Sequence, residues 1–531
     1  MRTLRSSALS ALGLVCGSVA AAAAVAAVTT LGACDSGTPP AADLGVSADL
    51  AAPVSDLAMK PAPVISSLSK AKGFTKGGDT ITLTGSGFQS GATVRFGSQP
   101  VTGVTVSADG TTLTVTVPAS TGKPGAVDVT VQNPDSQSSA PIKYTYYLEA
   151  ISFVQEAVAA GTDAGPRHLA VGDFNKDGAP DLLTANFDAN VSGVNDSVTV
   201  LQNNKAGGFA LAAGGRYVVG NGPFSVTVGD VTGDGNLDVI VPCQTSNDLF
   251  VATGKGDGSF NTAVRSVVPG ANRPQWASIS DANNDGSLDL LVANNGNGAN
   301  NNNVAVLIGN KTATFAGTGT AGFGLTRGTV FSLLGMDLNG DMRLDAVAVH
   351  RIDLTQNPLT TLINGNKTTA PFYNTAVATT GGGLPSVAEA GDFDGDGKPD
   401  VAVANSGANS VSILKNDGAG GLTPVMQQSG TAVGSGTPEP AGIAVGDLDG
   451  DGNLDVVTAN SNPLGATGDL SIYLGDGTGR LGAAKRLSVA LNRKPTSVVI
   501  ADLDNDGRLD IAYADYRAVG GAVLVLLSNS Q

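Results

Sequence analysis

From residue 151 to Gln531 the chain alternates short apolar runs with tight polar turns, and the order of the runs repeats. In one copy "GIAVGD" (442–447) leads into an acidic turn and "LDVVTAN" (454–460) follows it. A polar loop then precedes "DLSIYLGDG" (469–477), and a glycine turn precedes a last run opening at Leu481. Short runs of Val, Ile and Leu bounded by Gly, Asn and Asp are strand-like rather than helical. Each period therefore predicts four strands, a to d. The fourth opens at Phe209, Phe260, Phe315, Phe372, Leu422 and Leu481, 20 to 25 residues before the next acidic turn. After the last third run, "GAVLVLLSN", the sequence reaches Gln531 without a fourth. "SFVQEAV" places Phe153 twenty residues before the first acidic turn. The segment ahead of the first period is thus expected to supply the outer strand of the last one.

Upstream, residues 61–148 hold a different pattern. "TITLTGSGF", "ATVRFGSQPV", "TTLTVTVPAS", "GAVDVTVQNPD" and "IKYTYY" are short alternating strands separated by Gly, Pro and Asn turns, at sandwich spacing. With its Gly77-Gly78 turn, "GSGF" at 85–88 and "VQNPD" at 131–135, the stretch from Pro63 to Tyr147 resembles the IPT/TIG family of immunoglobulin-like domains. The resemblance implies a spacer or interaction module. Residues 1–33 open with Arg2 and Arg5 and continue apolar and alanine-rich, as a secretory signal does; an uncleaved membrane anchor is the other reading. Leu31-Gly32-Ala33-Cys34 resembles the bacterial lipobox, which implies cleavage before Cys34 and a lipid on it. Residues 34–60, rich in Ala, Pro, Ser and Asp without hydrophobic period, are expected to be a flexible tether. With Cys16 removed and Cys34 capped, Cys243 alone remains and no internal disulfide is expected.

Composition sharpens this. Glycine numbers 72 of 531 residues and charged residues make up only 14%, which favours turns and strands over helices. The formal charge of −16 excludes a nucleic-acid partner, since phosphate binding needs a basic surface.

The acidic turn carries the chemistry. It recurs seven times, at intervals of 57, 51, 56, 55, 55 and 55 residues, and so marks a repeat architecture. The first position is Asp173, Asp230, Asp281, Asp337, Asp392, Asp447 and Asp502. The third is Asn175, Thr232, Asn283, Asn339, Asp394, Asp449 and Asp504. The fifth is Asp177, Asp234, Asp285, Asp341, Asp396, Asp451 and Asp506. The ninth is Asp181, Asp238, Asp289, Asp345, Asp400, Asp455 and Asp510. So many carboxylates in nine residues repel one another unless a cation sits among them. Calcium takes six to eight hard oxygens from such a set. The main-chain carbonyl of the seventh residue (Ala179, Asn236, Ser287, Arg343, Lys398, Asn453 or Arg508) would complete it. Glycine at the sixth position allows a backbone turn costly for other residues. Only the fourth turn departs, with Met342, and 337–345 is expected to be the weakest of up to seven Ca2+ sites. An EF-hand is excluded. Its twelfth-position glutamate is replaced by Thr184, Val241, Val292, Ala348, Val403, Thr458 and Tyr513, and the flanks are strand-like. These turns hold 24 of the 46 acids. The acidity is mostly metal site.

Over 149–531 the repeats resemble the FG-GAP/VCBS repeats, the calcium-carrying blades of integrin α-subunit heads and related bacterial surface proteins. Four strands per period and seven periods then predict an all-β chain: an immunoglobulin-like sandwich followed by a seven-bladed β-propeller. Strand a runs into the calcium loop, so the calcium loops share one face and the b–c loops the other.

The b–c loops at 186–197, 294–303, 350–358 and 460–469 are amide-rich, and amides match the donors and acceptors of sugar hydroxyls. Trp276, with Asn294 and Asn295 beyond it, is the candidate ligand site on that face. His350 and Cys243 occupy the position of Asn186 and its equivalents and read as turn variants; His168 aligns with Trp276. Nothing pairs these residues as acid and base. The expected function is a lipid-anchored envelope protein, at the outer membrane or cell surface rather than the inner membrane, whose calcium-stabilised propeller binds a glycan or protein. No enzyme is expected. A polysaccharide lyase or hydrolase and a purely structural surface protein are the alternatives.

Overall fold

The computed structural model describes residues 60–529 apart from 102, 122, 155–156, 160–164, 188–195, 269, 297–302, 318–322, 325–328, 352–357, 366–372, 380–382, 430–438, 462–466, 491 and 518–520. The signal segment, Cys34, nearly all of the tether and the middles of the four amide-rich loops lie outside the described residues. So does Phe372. Among the described residues all regular structure is β, and no helix is long and apolar enough to cross a membrane.

Residues 64–147 fold as two packed sheets. One orders strands Val64–Leu68, Thr80–Ser86, Thr112–Thr116 and Thr105–Val106. The other orders Lys72–Phe74, Ile142–Tyr147, Gly125–Gln132, Thr93–Phe96 and Gln99–Val101. Alternation along each strand sends Leu83, Val94, Leu113, Val129 and Tyr144 inward, where all are fully buried.

The repeats form seven further sheets: five are four-stranded in chain order through one period, and the third follows the same order with its outer strand split in two. In the fifth, Pro385–Gly391, Asp400–Asn405, Ser410–Asn416 and Leu422–Ser429 pair antiparallel in that order. The fourth strand opens at Phe209 and Leu422 as expected. At Phe260 and Leu481 a single bridge precedes a strand beginning four residues later, at Val264 and Lys485.

The seventh sheet closes the ring. Its first three strands are Pro495–Ala501, Asp510–Asp515 and Ala522–Leu526, and its outer strand is Ala157–Ala159, in register with Val523–Val525. Ser152–Phe153 pairs with Ser528–Asn529 beside it. First strands of successive sheets touch around the circle, including the seventh against the first. The fold is propeller-like.

Packing explains why second strands such as "DVAVAN" read as unbroken apolar runs. Each sheet buries both faces against its neighbours, so alternation disappears. Leu182 and Leu201 of the first sheet pack with Ala512 and Val523 of the seventh, and equivalent clusters fill the other six gaps. The sandwich meets the ring at the sixth acidic loop, where Leu148 N donates to the Asp449 carbonyl at 2.7 Å. Ile151, just beyond, packs into the gap between sixth and seventh sheets.

Candidate functional site

Every acidic loop is built from the same hydrogen bonds. The ninth aspartate is a strut between loop and sheet. In the fifth loop one Asp400 oxygen accepts from Phe393 N at 3.2 Å, and the other from Asn416 N, at the end of the third strand, at 2.9 Å. The equivalent pair of bonds holds Asp181, Asp238, Asp289, Asp345, Asp455 and Asp510. All seven side chains are at most 1% exposed. Burial pushes the Asp181, Asp289 and Asp510 carboxyls up to about 6 and that of Asp455 up to about 8, against the donated N–H bonds.

The remaining acids wind the turn. The N–H of the sixth residue donates to the first aspartate in all seven loops, as Gly397 does to Asp392 at 2.9 Å. The N–H of the seventh residue donates to the fifth, as Lys398 does to Asp396 at 3.0 Å. The sixth residue is left-handed throughout, at φ 82° for Gly397 and 64° for Met342, whose side chain points into solvent. A second left-handed residue, at the fourth position, went unnoticed in the sequence. It is Gly233, Gly340, Gly395 or Gly450 in four loops and Lys176, Asn284 or Asn505 in the others.

Does this set fit a hard cation? In the last three loops, Asp392, Asp394 and Asp400, then Asp447, Asp449 and Asp455, then Asp502, Asp504 and Asp510 bring one oxygen each within 4.8 Å of the others. In the sixth loop Asp447 Oδ1 is buried and accepts no hydrogen bond, a cost that a bound cation would remove. All-oxygen donors, clustered and partly desolvated, match calcium rather than a thiophilic metal. The seventh-position carbonyl would join them. Two neighbours bear on these loops. A lysine or arginine lies against the fifth-position carboxylate in several: Lys205 on Asp177, Arg343 on Asp341, Arg508 on Asp506, and Lys415 across Asp394 and Asp396. On the sixth loop that cation comes from the sandwich, with Lys72 Nζ 3.7 Å from Asp451 and 3.4 Å from Asn453 Oδ1.

The other end of the ring holds a cavity of about 410 Å3, within the range of small-molecule sites. Two repeat positions form its rim: six before the first loop aspartate and fourteen after it. Sheets one, four and seven place Arg167, Phe331, Arg351 and Tyr516 there, with Phe224 from sheet two. Sheets five and six place only Ser386, Ser406, Ala441 and Ser461. The rim is lopsided. The Arg167 guanidinium lies 3.9 Å over the Phe224 ring and 5.5 Å from both Phe187 and Tyr516, and Arg351 lies 5.3 Å over Phe331. Phe224 meets Phe331 edge to face at 5.6 Å. His168 and Trp276 meet the same way at 4.7 Å in the wall. Burial pushes the His168 imidazole down to about 4 and the Arg167 guanidinium down to about 10, so at neutral pH the first is uncharged and the second cationic.

The structure separates the three residues of the expected ligand site. Trp276 lines the cavity. Asn294 does not: it is fully buried at a strand end, and its amide donates to Asn303 Oδ1 at 2.7 Å. It belongs to a structural position shared with Asn186, Asn405 and Asn460, whose side chains tie second to third strands. His350 and Cys243 occupy that position too, both fully buried, as turn variants would be. The Asn295 amide donates to Gln275 Oε1 within its own sheet and is not part of the cavity wall. No run of the sequence marks this cavity, which is assembled from rim positions of several sheets.

Comparison with known proteins agrees with the repeat and the sandwich. An FG-GAP-like repeat model matches residues 281–348, 337–403, 392–458 and 447–513. An IPT/TIG domain model matches 63–146. The chain carries FG-GAP-like repeats and an IPT/TIG domain. The repeat matches take in the third to seventh acidic loops. The first two loops lie outside them, although they share the same hydrogen bonds. An ankyrin and IPT/TIG repeat-containing protein of Schizosaccharomyces pombe is 40% identical over 85 residues, 16% of this chain; the chain spans only 7% of that relative's length. Among solved structures, an Agrocybe aegerita lectin that recognises non-reducing terminal N-acetylglucosamine is 16% identical, with TM-score 0.42, over 69% of this chain and 91% of that one. An auxiliary nutrient binding protein from Bacteroides thetaiotaomicron is 14% identical, with TM-score 0.39, over 89% and 98%.

Proposed function

We propose that this chain is a calcium-stabilised binding protein of the bacterial cell envelope, held to the membrane by a lipid on Cys34. Its acidic loops hold Ca2+ on one face, and it takes a glycan or protein ligand on the other. FG-GAP repeats fit a binding or surface role. The observation that carries the reading is the division of labour between faces. Seven acidic loops occupy one end of the ring, while the cavity opens at the other, among side chains that vary from sheet to sheet. A rigid repeated scaffold with one variable surface suits recognition.

A glycan array probed with the folded chain in calcium, run beside a polysaccharide depolymerisation assay, tests this. Saturable binding without cleavage is expected. Cleavage of a bound polysaccharide would replace the binding role with an enzymatic one, and no binding to any glycan or envelope protein would leave a structural role.

A further inference from the structure

Glu389 is the one carboxylate among the described residues that line the cavity. It has no hydrogen-bond or ionic partner among the described residues, and burial alone, with no charged neighbour acting on it, pushes its carboxyl up to about 7. The sequence accounts for this isolation. Glu389 lies on the first strand of the fifth sheet, Pro385–Gly391, between the first strands Thr329–Met336 and Glu439–Gly446. None of the three holds a lysine, arginine or histidine, and of all seven first strands only Pro166–Gly172 does, at Arg167 and His168. His168 is uncharged at neutral pH. Arg167 lies three strand positions nearer the mouth, roughly 10 Å higher, where three aromatic rings and the Tyr516 hydroxyl hold it. Arg351 is opposite Thr329, at the mouth itself. A carboxylate desolvated without a counter-charge is costly, and nothing built around Glu389 offsets that cost.

The surroundings select the kind of cation that could answer it. Trp276, half-buried, reaches across from the third sheet to pack against the cluster that holds Val387 and Ile443. Val387 stands two residues before Glu389 on the same strand, so the two side chains leave on the same side about 7 Å apart. The carboxylate therefore lies one layer below the indole, among Val387, Ile443 and Val499 of the cavity wall. A hard metal ion would find one carboxylate and a hydrocarbon wall where it needs six or more oxygens. An organic ammonium suits the place, because it pairs with the carboxylate and is attracted to the indole face. Nearer the mouth, Ser386 donates its hydroxyl proton to the Ala404 or Pro440 carbonyl and Ser406 to the Leu384 carbonyl at 2.8 Å. With their hydrogens committed to backbone, these oxygens remain as acceptors for hydroxyl donors.

We propose that the cavity binds an amino sugar through its protonated amine. The ammonium would sit between the Glu389 carboxylate and the Trp276 indole, with the sugar hydroxyls on the serine oxygens nearer the mouth. This rests on the reading of the protein as a glycan-binding module and names the ligand class for it. An N-acetylated or plain neutral sugar would leave Glu389 without a counter-charge, and an amine without hydroxyls would leave the serine oxygens unmet.

Trp276 is the only tryptophan of the chain, so intrinsic fluorescence reports on this layer directly. Titrations of the full chain in calcium would use oligomers of D-glucosamine, with the N-acetylated oligomers of the same length and n-butylamine as controls. Acetylation removes the charge and keeps the skeleton. The free amine is expected to shift the emission saturably, and both controls to bind at least about tenfold more weakly, the worth of one charge-assisted contact. Glu389→Gln should erase the preference for the amine over the acetamide. Its melt should be no lower than that of the parent, since it replaces an unanswered charge by a neutral group. If that variant does not fold, the comparison of amine with acetamide on the parent chain still decides. Equal or tighter binding of the acetamide, or a preference untouched in folded Glu389→Gln, overturns the inference, and n-butylamine binding as tightly as the oligomer overturns the sugar as its ligand. A glycan-array ligand that binds without moving Trp276 emission also overturns it while leaving the binding role intact. If neither the array nor these titrations show binding, both fall.

Discussion

Met342 is the one residue other than glycine at the sixth position of an acidic loop, and it adopts the left-handed conformation that its glycine counterparts adopt. For a residue with a Cβ this costs roughly 1–2 kcal/mol. Glycine there would forfeit part of that in unfolded-chain entropy, of order 0.5–1 kcal/mol. Met342→Gly should therefore raise stability by about 0.5 kcal/mol, read as a higher urea midpoint in calcium at unchanged slope. A lower midpoint would show that the loop draws something from the methionine. This position was legible because a fixed motif makes a deviation visible. Asn294 was misread for a related reason. Its amide looked like part of a polar loop, but its repeat position, the last of a second strand, decides its role, and there it is buried.

Among the elements, the short outer strand Ala157–Ala159 does most for its size, since it completes the seventh sheet far from it in sequence. Chain ends usually tolerate trimming. Deleting 151–160 should instead expose the edge of Ala522–Leu526, lower the melting temperature and promote aggregation. A truncated chain that stays monomeric with an unchanged melt would refute closure by this strand. The sandwich and the sixth loop form the second such pair, through Lys72, the Leu148–Asp449 bond and Pro124, which packs so close to Gly450 that a Cβ there would meet it at 2.1 Å. Lys72→Glu sets two like charges together, and an ion pair of this exposure is worth up to about 1 kcal/mol. Proteolysis at the joint around 148–151 should then quicken by about fivefold at most. A rate equal to that of the unmodified chain would mean that Lys72 does not hold the contact.

For the whole molecule, the ring could be read from sequence because every repeat writes the same local chemistry: a proline opening most first strands, an acidic turn, an apolar second strand. Closure was legible from a missing fourth run at one end and an orphan run at the other. The cavity was not. Arg167, Phe224, Phe331 and Tyr516 lie in four different sheets at repeat positions whose residue type changes from copy to copy, and only the closed ring brings them to one rim. The seat of the sandwich on the sixth loop is equally non-local. Under the proposed function, what unites the molecule energetically is bound calcium. A site with Kd near 10⁻⁴ M would contribute about 1.4 kcal/mol at millimolar calcium, and seven would approach about 10 kcal/mol, comparable with the stability of a whole domain. The most direct test is a thermal melt of the full chain in millimolar calcium and in excess EDTA. The melting temperature should fall steeply in EDTA and recover when calcium, but not an equal concentration of sodium chloride, is restored. Superimposable melts in calcium and in EDTA would contradict the account at its centre.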